Sequence, residues 1–372
     1  MKSAPTSPER VASIDIGTNT ILLLIAEVSR GKLKTLFDRE TIVRLGEGVQ
    51  NSGVLSEGAM KRGFQALEGY LKKCHEMEVQ KIFAAGTSAL REARNSDQFL
   101  TMAKEKLHLS IEVISGEEEA SLSFLAVARD LKEAEKSILV VDVGGGSTEI
   151  VQGKGDAILQ WVSLPLGIVR FNERFLLSDP VNPVRNSSRC DSKPSGALNL
   201  AGINLKCNLA AASGPGSAPE GLLPWREGLW PGGSMRGIIS NGVKEEEWKA
   251  MAEEIRKQLS SFPFPKEPLS MISIGGTGTA LASVELGLEK LIPEKIHRFV
   301  LTREALRNQL FLYRSKTLEE REKIKGLPSA RADVILAGGT ILYLIMEGSG
   351  CSSLMVSTHG VRYGLLYRRL TL

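Results

Sequence analysis

One short pattern occurs twice in this chain, and it constrains the fold more than any other feature. Ser13-Ile14-Asp15-Ile16-Gly17-Thr18-Asn19-Thr20 near the start is matched by Val141-Asp142-Val143-Gly144-Gly145-Gly146-Ser147-Thr148. Aligning Asp15 with Asp142 sets Gly17 on Gly144 and Thr20 on Ser147. Each copy lies between apolar runs, 10–14 and 21–28 for the first, 137–141 and 148–151 for the second, which is the pattern of a hairpin with a tight polar turn. Such a turn aims successive backbone N–H groups at one spot. Glycine lets the main chain approach an anion, hydroxyls add donors, and a carboxylate at the strand end can hold a divalent cation that phosphate also binds. Two such loops facing each other would grip a phosphate chain from both sides.

At 372 residues the chain is long enough for two domains, each with its own core. Its formal net charge of +4 is small for that length and gives no reason to expect a nucleic-acid binder. The first ten residues are polar and carry prolines, unlike a secretory signal, and the apolar run 21–28 is too short to span a bilayer, so no membrane association is expected. Cys74, Cys190, Cys207 and Cys351 lie far apart, with no Cys-x-x-Cys and no matching histidine pair. Neither a zinc site nor a disulfide framework is suggested, and a cytoplasmic location is expected.

Strand-like and helix-like segments alternate, so the expected class is α/β. Residues 32–44 read as a strand, 58–78 as a helix through Met60, Phe64, Leu67 and Leu71, and 81–85 as a buried strand feeding Gly86-Thr87-Ser88-Ala89-Leu90-Arg91-Glu92-Ala93. A helix is expected from Ser115-Gly116-Glu117-Glu118-Glu119-Ala120 to about Lys136, with acids in the first turn, where the helix dipole favours them. Residues 180–242 are rich in proline, glycine, serine and asparagine without periodicity. They are read as a disordered or loosely folded insertion, although Trp225 and Trp230 could dock on a surface. Residues 171–179 and the run from Val243 to 259 read as helical on either side of it. Beyond it come a strand entering Gly275-Gly276-Thr277, a second Gly-Gly-Thr at 338–340, and the turn Ser357-Thr358-His359-Gly360-Val361-Arg362-Tyr363-Gly364.

The duplicated Asp-x-Gly hairpin followed by strand-Gly-Gly-turn-helix resembles the actin, hsp70 and sugar-kinase superfamily. Within it, the chain is similar to the exopolyphosphatase and guanosine pentaphosphate phosphatase (Ppx/GppA) family. Six stretches in order carry the resemblance: 12–20, 86–93, 114–120, 142–149, Ser163-Leu164-Pro165-Leu166-Gly167-Ile168-Val169-Arg170, and Ile274-Gly275-Gly276-Thr277. It implies a two-domain actin-like (ribonuclease H-like) fold with an active-site cleft between the domains. Domain I is then 1–120 completed by 357–372, and domain II is 121–356 with the insertion 180–242 inside it. It also implies a short form, without the helical hydrolase-like domain that follows in longer members, and a homodimer.

For the site, the resemblance places the general base on Glu119 and a phosphate-contacting arginine on Arg91, whose fork suits phosphate oxygens. Asp142 corresponds to the magnesium-binding aspartate and Glu149 to a nearby carboxylate, so Mg2+ is the implied cofactor. Asp15, Gly17, Thr18, Asn19, Gly144, Gly145, Gly146, Ser147 and Arg170 correspond to the phosphate cradle. Read by spacing alone, Glu117, Glu118 and Glu119 decorate a helix start; for Asp142 the alternative is a cap on its own turn, and for Arg91 a solvated helix residue. His359 is read as a local hydrogen-bonding histidine, and no role falls to the other histidines. The implied substrates are inorganic polyphosphate and guanosine pentaphosphate, a stringent-response nucleotide. Both present the same terminal anhydride, and the implied reaction releases orthophosphate. The alternatives are an ATP-dependent kinase or ATPase on the same architecture, and a phosphate-binding sensor with impaired catalysis.

Overall fold

The computed structural model describes residues 8–131, 137–176, 242–265 and 269–372, all within one compact unit. The expected insertion 180–242 falls, except for Gly242, outside the described residues, as do Cys190, Cys207, Trp225 and Trp230.

The duplicated sequence pattern becomes a duplicated sheet. In the first sheet, β1 (Glu9–Ile16), β2 (Thr20–Ser29) and β3 (Lys32–Ile42) form an antiparallel meander. β4 (Lys81–Gly86) and β5 (Ile111–Val113) add in parallel on the other side of β1, giving the order β3-β2-β1-β4-β5. The second sheet repeats this with β6 (Ser137–Val143), β7 (Thr148–Lys154) and β8 (Ala157–Leu164) as the meander and β9 (Ser270–Ile274) parallel to β6. β11 (Ser353–Val356) pairs in parallel with β9, and β10 (Phe299–Thr302) closes the edge antiparallel to β11. β1 and β6 are thus equivalent central strands. Both are almost wholly buried and read Val-Ala-Ser-Ile-Asp-Ile and Ile-Leu-Val-Val-Asp-Val, continuous apolar runs covered on both faces. Asp15 and Asp142 sit next to their loops, at the carboxyl ends of these strands, where ligand crevices of α/β sheets lie.

One outer face of the first sheet is covered by helices Glu57–Glu76 and Ser96–Leu107. Leu67, Tyr70, Cys74, Phe99 and Ala103 pack there against Ile14, Ile21, Leu23 and Ile25. Ser56 caps the longer helix by accepting from the Ala59 N–H at 3.2 Å. Between the two sheets lies helix Gly116–Leu131, apolar on both sides. Ala120, Phe124 and Val127 face Val140, Val151 and Ile272 of the second sheet, while Leu122 and Ala126 meet residues of the first sheet and of helix Val361–Leu370. That closing helix crosses it so tightly that a Cβ on Gly364 would run into the carbonyl of Leu122. A two-sided apolar helix belongs in a core, and its first turn carries Glu119 into the space between the sheets while Glu117 stays exposed and Glu118 pairs with Arg368. Among the described residues no helix is long and apolar enough to cross a membrane.

Most strand and helix readings hold with small shifts of end, helix 58–78 being Glu57–Glu76 and strand 32–44 being Lys32–Ile42, but the two Gly-Gly-Thr stretches read as turns lie within helices Gly275–Glu285 and Ile335–Gly348. Residues 168–176 are helical but split, a short α-turn Ile168–Phe171 running into a π-turn Asn172–Leu176.

Candidate active site

The two loops are built alike to the hydrogen bond. The Gly17 N–H donates to the Thr20 carbonyl at 2.9 Å, and the Gly144 N–H to the Ser147 carbonyl at 2.9 Å. They face each other across a cavity of about 70 Å³ lined by Asp15, Gly17, Thr18, Asn19, Glu119, Asp142, Gly144, Gly145, Gly146 and Ser147. That is several times the roughly 10–15 Å³ one water needs. Glycine is needed where the loops nearly touch: a Cβ on Gly145 would stand 2.8 Å from the Asn19 nitrogen and 2.8 Å from the Thr18 Cβ. One on Gly146 would strike the Ser88 hydroxyl. Thr18 Oγ1 and both amide atoms of Asn19 are buried without a hydrogen-bond partner. Buried polar groups are normally satisfied, so these three point to a polar ligand in the cavity.

Three of the expected residues stand off the cavity wall. Arg91 reaches in from helix Ser88–Glu92, its Nη1 donating to the Ile114 carbonyl at 2.9 Å and to Glu119 Oε2 at 3.1 Å. Glu149, paired with Asp142 in the β6–β7 register, is 1% exposed and accepts from the Ser163 hydroxyl at 2.7 Å. Arg170 lines a smaller neighbouring pocket behind Thr18 and Gly146. It donates to the Gly146 carbonyl at 3.2 Å and pairs with Glu92 at 2.5 Å and with Gln50. The remaining expected residues are drawn together on the wall itself.

Two arginines that carry no motif of their own line the same cavity. Arg362 is held by Asp38 through two bonds, Nε–Oδ1 at 3.0 Å and Nη2–Oδ2 at 2.8 Å. Arg331, 3% exposed, pairs with Glu40 at 2.5 Å, and its Nε has no partner. Only the Gly-flanked turn 357–364 hinted at the first. Nothing in the polar stretch around the second did, because its role depends on a strand nearly three hundred residues earlier in the chain.

Crowding four carboxylates here shifts their titration upward. Burial, then the charges of Glu119 and Asp142, push Asp15 up to about 8, against the pull of Arg362. Burial pushes Glu119 up to about 7, with Arg91 pulling it down and Asp142 pushing it further up. Asp142 rises to about 6 by burial despite Arg362, and Glu149 is raised by burial and by Glu119 and Asp142. Such a cluster cannot be fully ionised without added positive charge. All-oxygen donors crowded in this way fit a hard divalent cation such as magnesium. Gly275, with φ at +78°, leaves room beside Asp142, where a Cβ would come within 2.5 Å of Oδ1. Of the acids, Asp15, Glu119 and Asp142 stand on the cavity wall and Glu149 behind it, and no three of them bring their oxygens within 4.8 Å of one another.

The sequence profile of the Ppx/GppA phosphatase family matches residues 24–218. A Ppx/GppA family member from Aquifex aeolicus has a crystal structure that is 31% identical, with 98% of each chain covered and a TM-score of 0.70. An exopolyphosphatase from Cytophaga hutchinsonii superposes with a TM-score of 0.73 at 23% identity over 98% of each chain, a likeness of fold. The bifunctional 3-dehydroquinate synthase/phosphatase of Fusobacterium nucleatum is 32% identical over 93% of this chain. The chain spans only 44% of that relative's length. The fold is α/β, with the cavity between two sheets of like topology.

Proposed function

The chain belongs to the Ppx/GppA phosphatase family, and on that premise we propose that it hydrolyses a terminal phosphoanhydride bond, releasing orthophosphate from inorganic polyphosphate or from the 5′-triphosphate of guanosine pentaphosphate. The observation that carries this reading is Glu119. It is a buried carboxylate titrating near 7, fixed by Arg91 at 3.1 Å, on the wall of a cavity made by two glycine-rich loops. A base works best with a pKa near the working pH.

In this reading the facing N–H groups of the two loops and the unpartnered Thr18 and Asn19 side chains bind the terminal phosphoryl oxygens, and Ser147 adds a hydroxyl. Glu119 takes a proton from a water as its oxygen bonds to phosphorus. The bridging P–O bond then breaks, and the electron pair leaves with the shortened chain. Arg91 holds the Glu119 carboxylate in place and meets charge on the transferred group. Magnesium, held by Asp142 with Glu149 and Asp15 nearby, would when bound neutralise charge on the phosphate oxygens. Arg170 and Arg362 add positive charge along the chain's path.

The test is phosphate release from long polyphosphate and from guanosine pentaphosphate, each with and without magnesium, on wild type and on Glu119→Gln. Removing a general base costs roughly 10²–10⁴-fold. Loss of that order in kcat, with substrate binding retained, supports the reading. Near-normal turnover by Glu119→Gln overturns it, and phosphoryl transfer from ATP to an acceptor would replace it by the kinase reading.

A further inference from the structure

A second set of ligating atoms gathers behind the cleft, from three elements far apart in sequence. Asp130 stands near the end of helix Gly116–Leu131, His297 just before β10, and His359 in the turn after β11. One atom from each lies within 4.8 Å of the others. His297 Nε2 is 3.3 Å from Asp130 Oδ2, and His359 Nδ1 is 3.8 Å from Asp130 Oδ1. The His359 ring is stacked between His297, at 4.7 Å between centroids, and Tyr363, at 3.9 Å. His359 bonds locally through its backbone N–H to the Ser357 hydroxyl at 3.1 Å, but its Nδ1 is buried with no hydrogen-bond partner, while Asp130 Oδ1 accepts from Arg298 Nη2 at 3.2 Å. A buried imidazole nitrogen left without a partner beside a carboxylate is explained by an ion next to it.

We propose that Asp130, His297 and His359 form a binding site for a divalent transition ion of the zinc class, with a position open for water. Two imidazoles select such an ion over magnesium or calcium, which take oxygen ligands. In a tetrahedral site with bonds of about 2.0–2.1 Å the ligand atoms stand roughly 3.3 Å apart; Asp130 Oδ2 and His297 Nε2 already have that spacing, and His359 Nδ1 must draw closer. His297 Nδ1 lies 3.2 Å from the Thr358 hydroxyl, which can accept a proton from it and free Nε2 for the ion. In the metal-free protein the Thr358 N–H competes for Nδ1 at 3.3 Å. The two imidazoles are inclined by only 28°, so capturing one ion requires each to turn about χ2, a broad torsion. Once filled, the site would tie the far end of the helix that carries Glu119 to the turn leading into Arg362.

The experiment uses the full chain, stripped by chelator and then saturated with magnesium to fill the carboxylate cleft. Retention of cobalt and of zinc is measured by equilibrium dialysis. The expected result is about one ion per chain for wild type and for Asp142→Asn, with affinity falling at least tenfold in His297→Gln and His359→Gln, and retention unchanged after alkylation of the cysteines. The cobalt-loaded wild type should show hyperfine-shifted imidazole proton resonances, a readout that stands even if a histidine variant fails to fold. The proposal is overturned if wild type retains no more cobalt or zinc than His359→Gln, if alkylation abolishes retention, or if no imidazole resonance shifts.

Discussion

At the scale of single residues, the cleft concentrates acids whose neutral forms the fold prefers, and this has a sign that can be measured. Asp15 moves from an ordinary 3.8 to about 8 on burial, Glu119 from 4.5 to about 7 and Asp142 from 3.8 to about 6. Between the ordinary and the raised values the folded state holds a proton that the unfolded chain has released, so stability must fall as pH rises through that window. Metal-free protein should therefore melt at a lower temperature at about pH 8 than at about pH 5. Asp15→Asn removes the widest of these windows and should flatten the slope without abolishing it. Differential scanning calorimetry in chelator across this range checks it, and a melting temperature that rises toward pH 8 contradicts the burial account. Asp15 and Asp142 were legible in the sequence because each stands at a strand end beside a glycine turn, whereas only the family resemblance singled out Glu119 from Glu117 and Glu118, which share its place at a helix start. Arg331 and Arg362 were not legible, because a cation's value in a cleft depends on what folds opposite it. His297 and His359, 62 positions apart, were invisible as a pair for the same reason.

At the scale of elements, the helix that presents Glu119 is positioned by its crossing with helix Val361–Leu370. Gly364 lies against the Leu122 carbonyl there with no room for a Cβ. In Gly364→Ala the methyl must push the two helices apart, and overpacking of a tight core typically costs about 1–3 kcal/mol. Ala is otherwise the better helix former by about 1 kcal/mol, so any net loss measures the crossing itself. We expect a lower urea midpoint and a reduced kcat, the second because Glu119 stands one turn before Leu122. Unchanged stability and rate would mean that the crossing relaxes without disturbing the site. Elements with a strong period or a continuous apolar run, such as β1, β6 and helix Glu57–Glu76, could be read from sequence. β8 and β10 could not. β8 alternates exposed and half-buried residues at a sheet edge, and β10 has four residues. The π-turn Asn172–Leu176 reads simply as helix in sequence, since the same residues serve either winding.

At the scale of the whole molecule, charged pairs span the cleft and hold its two sides together. Arg331 of the β6–β11 half meets Glu40 on β3 at 2.5 Å, Asp333 meets Arg44 at 2.8 Å, and Arg170 meets Glu92 at 2.5 Å. Glu173 Oε1 accepts from the Gly48 N–H at 3.0 Å. The Arg331–Glu40 pair is the most buried of these, with side-chain exposures of 4% and 24%, and lies on the cavity wall. Exposed ion pairs contribute little, on the order of 0–1 kcal/mol, whereas breaking a buried one strands a charge and costs about 3–5 kcal/mol. Arg331 therefore governs closure more than Arg44 does. Replacing Glu40 by Gln strands the Arg331 charge beside the empty cleft, and replacing Arg331 by Gln leaves Glu40 half-exposed and better hydrated. Both variants should shift the substrate-free protein toward a more open form, seen as a larger radius of gyration in small-angle scattering, and raise KM more than they lower kcat. Because the two changes remove one interaction, the double variant should be no more open than the worse single one. If the effects instead add, the residues act separately and this pair is not what holds the cleft closed.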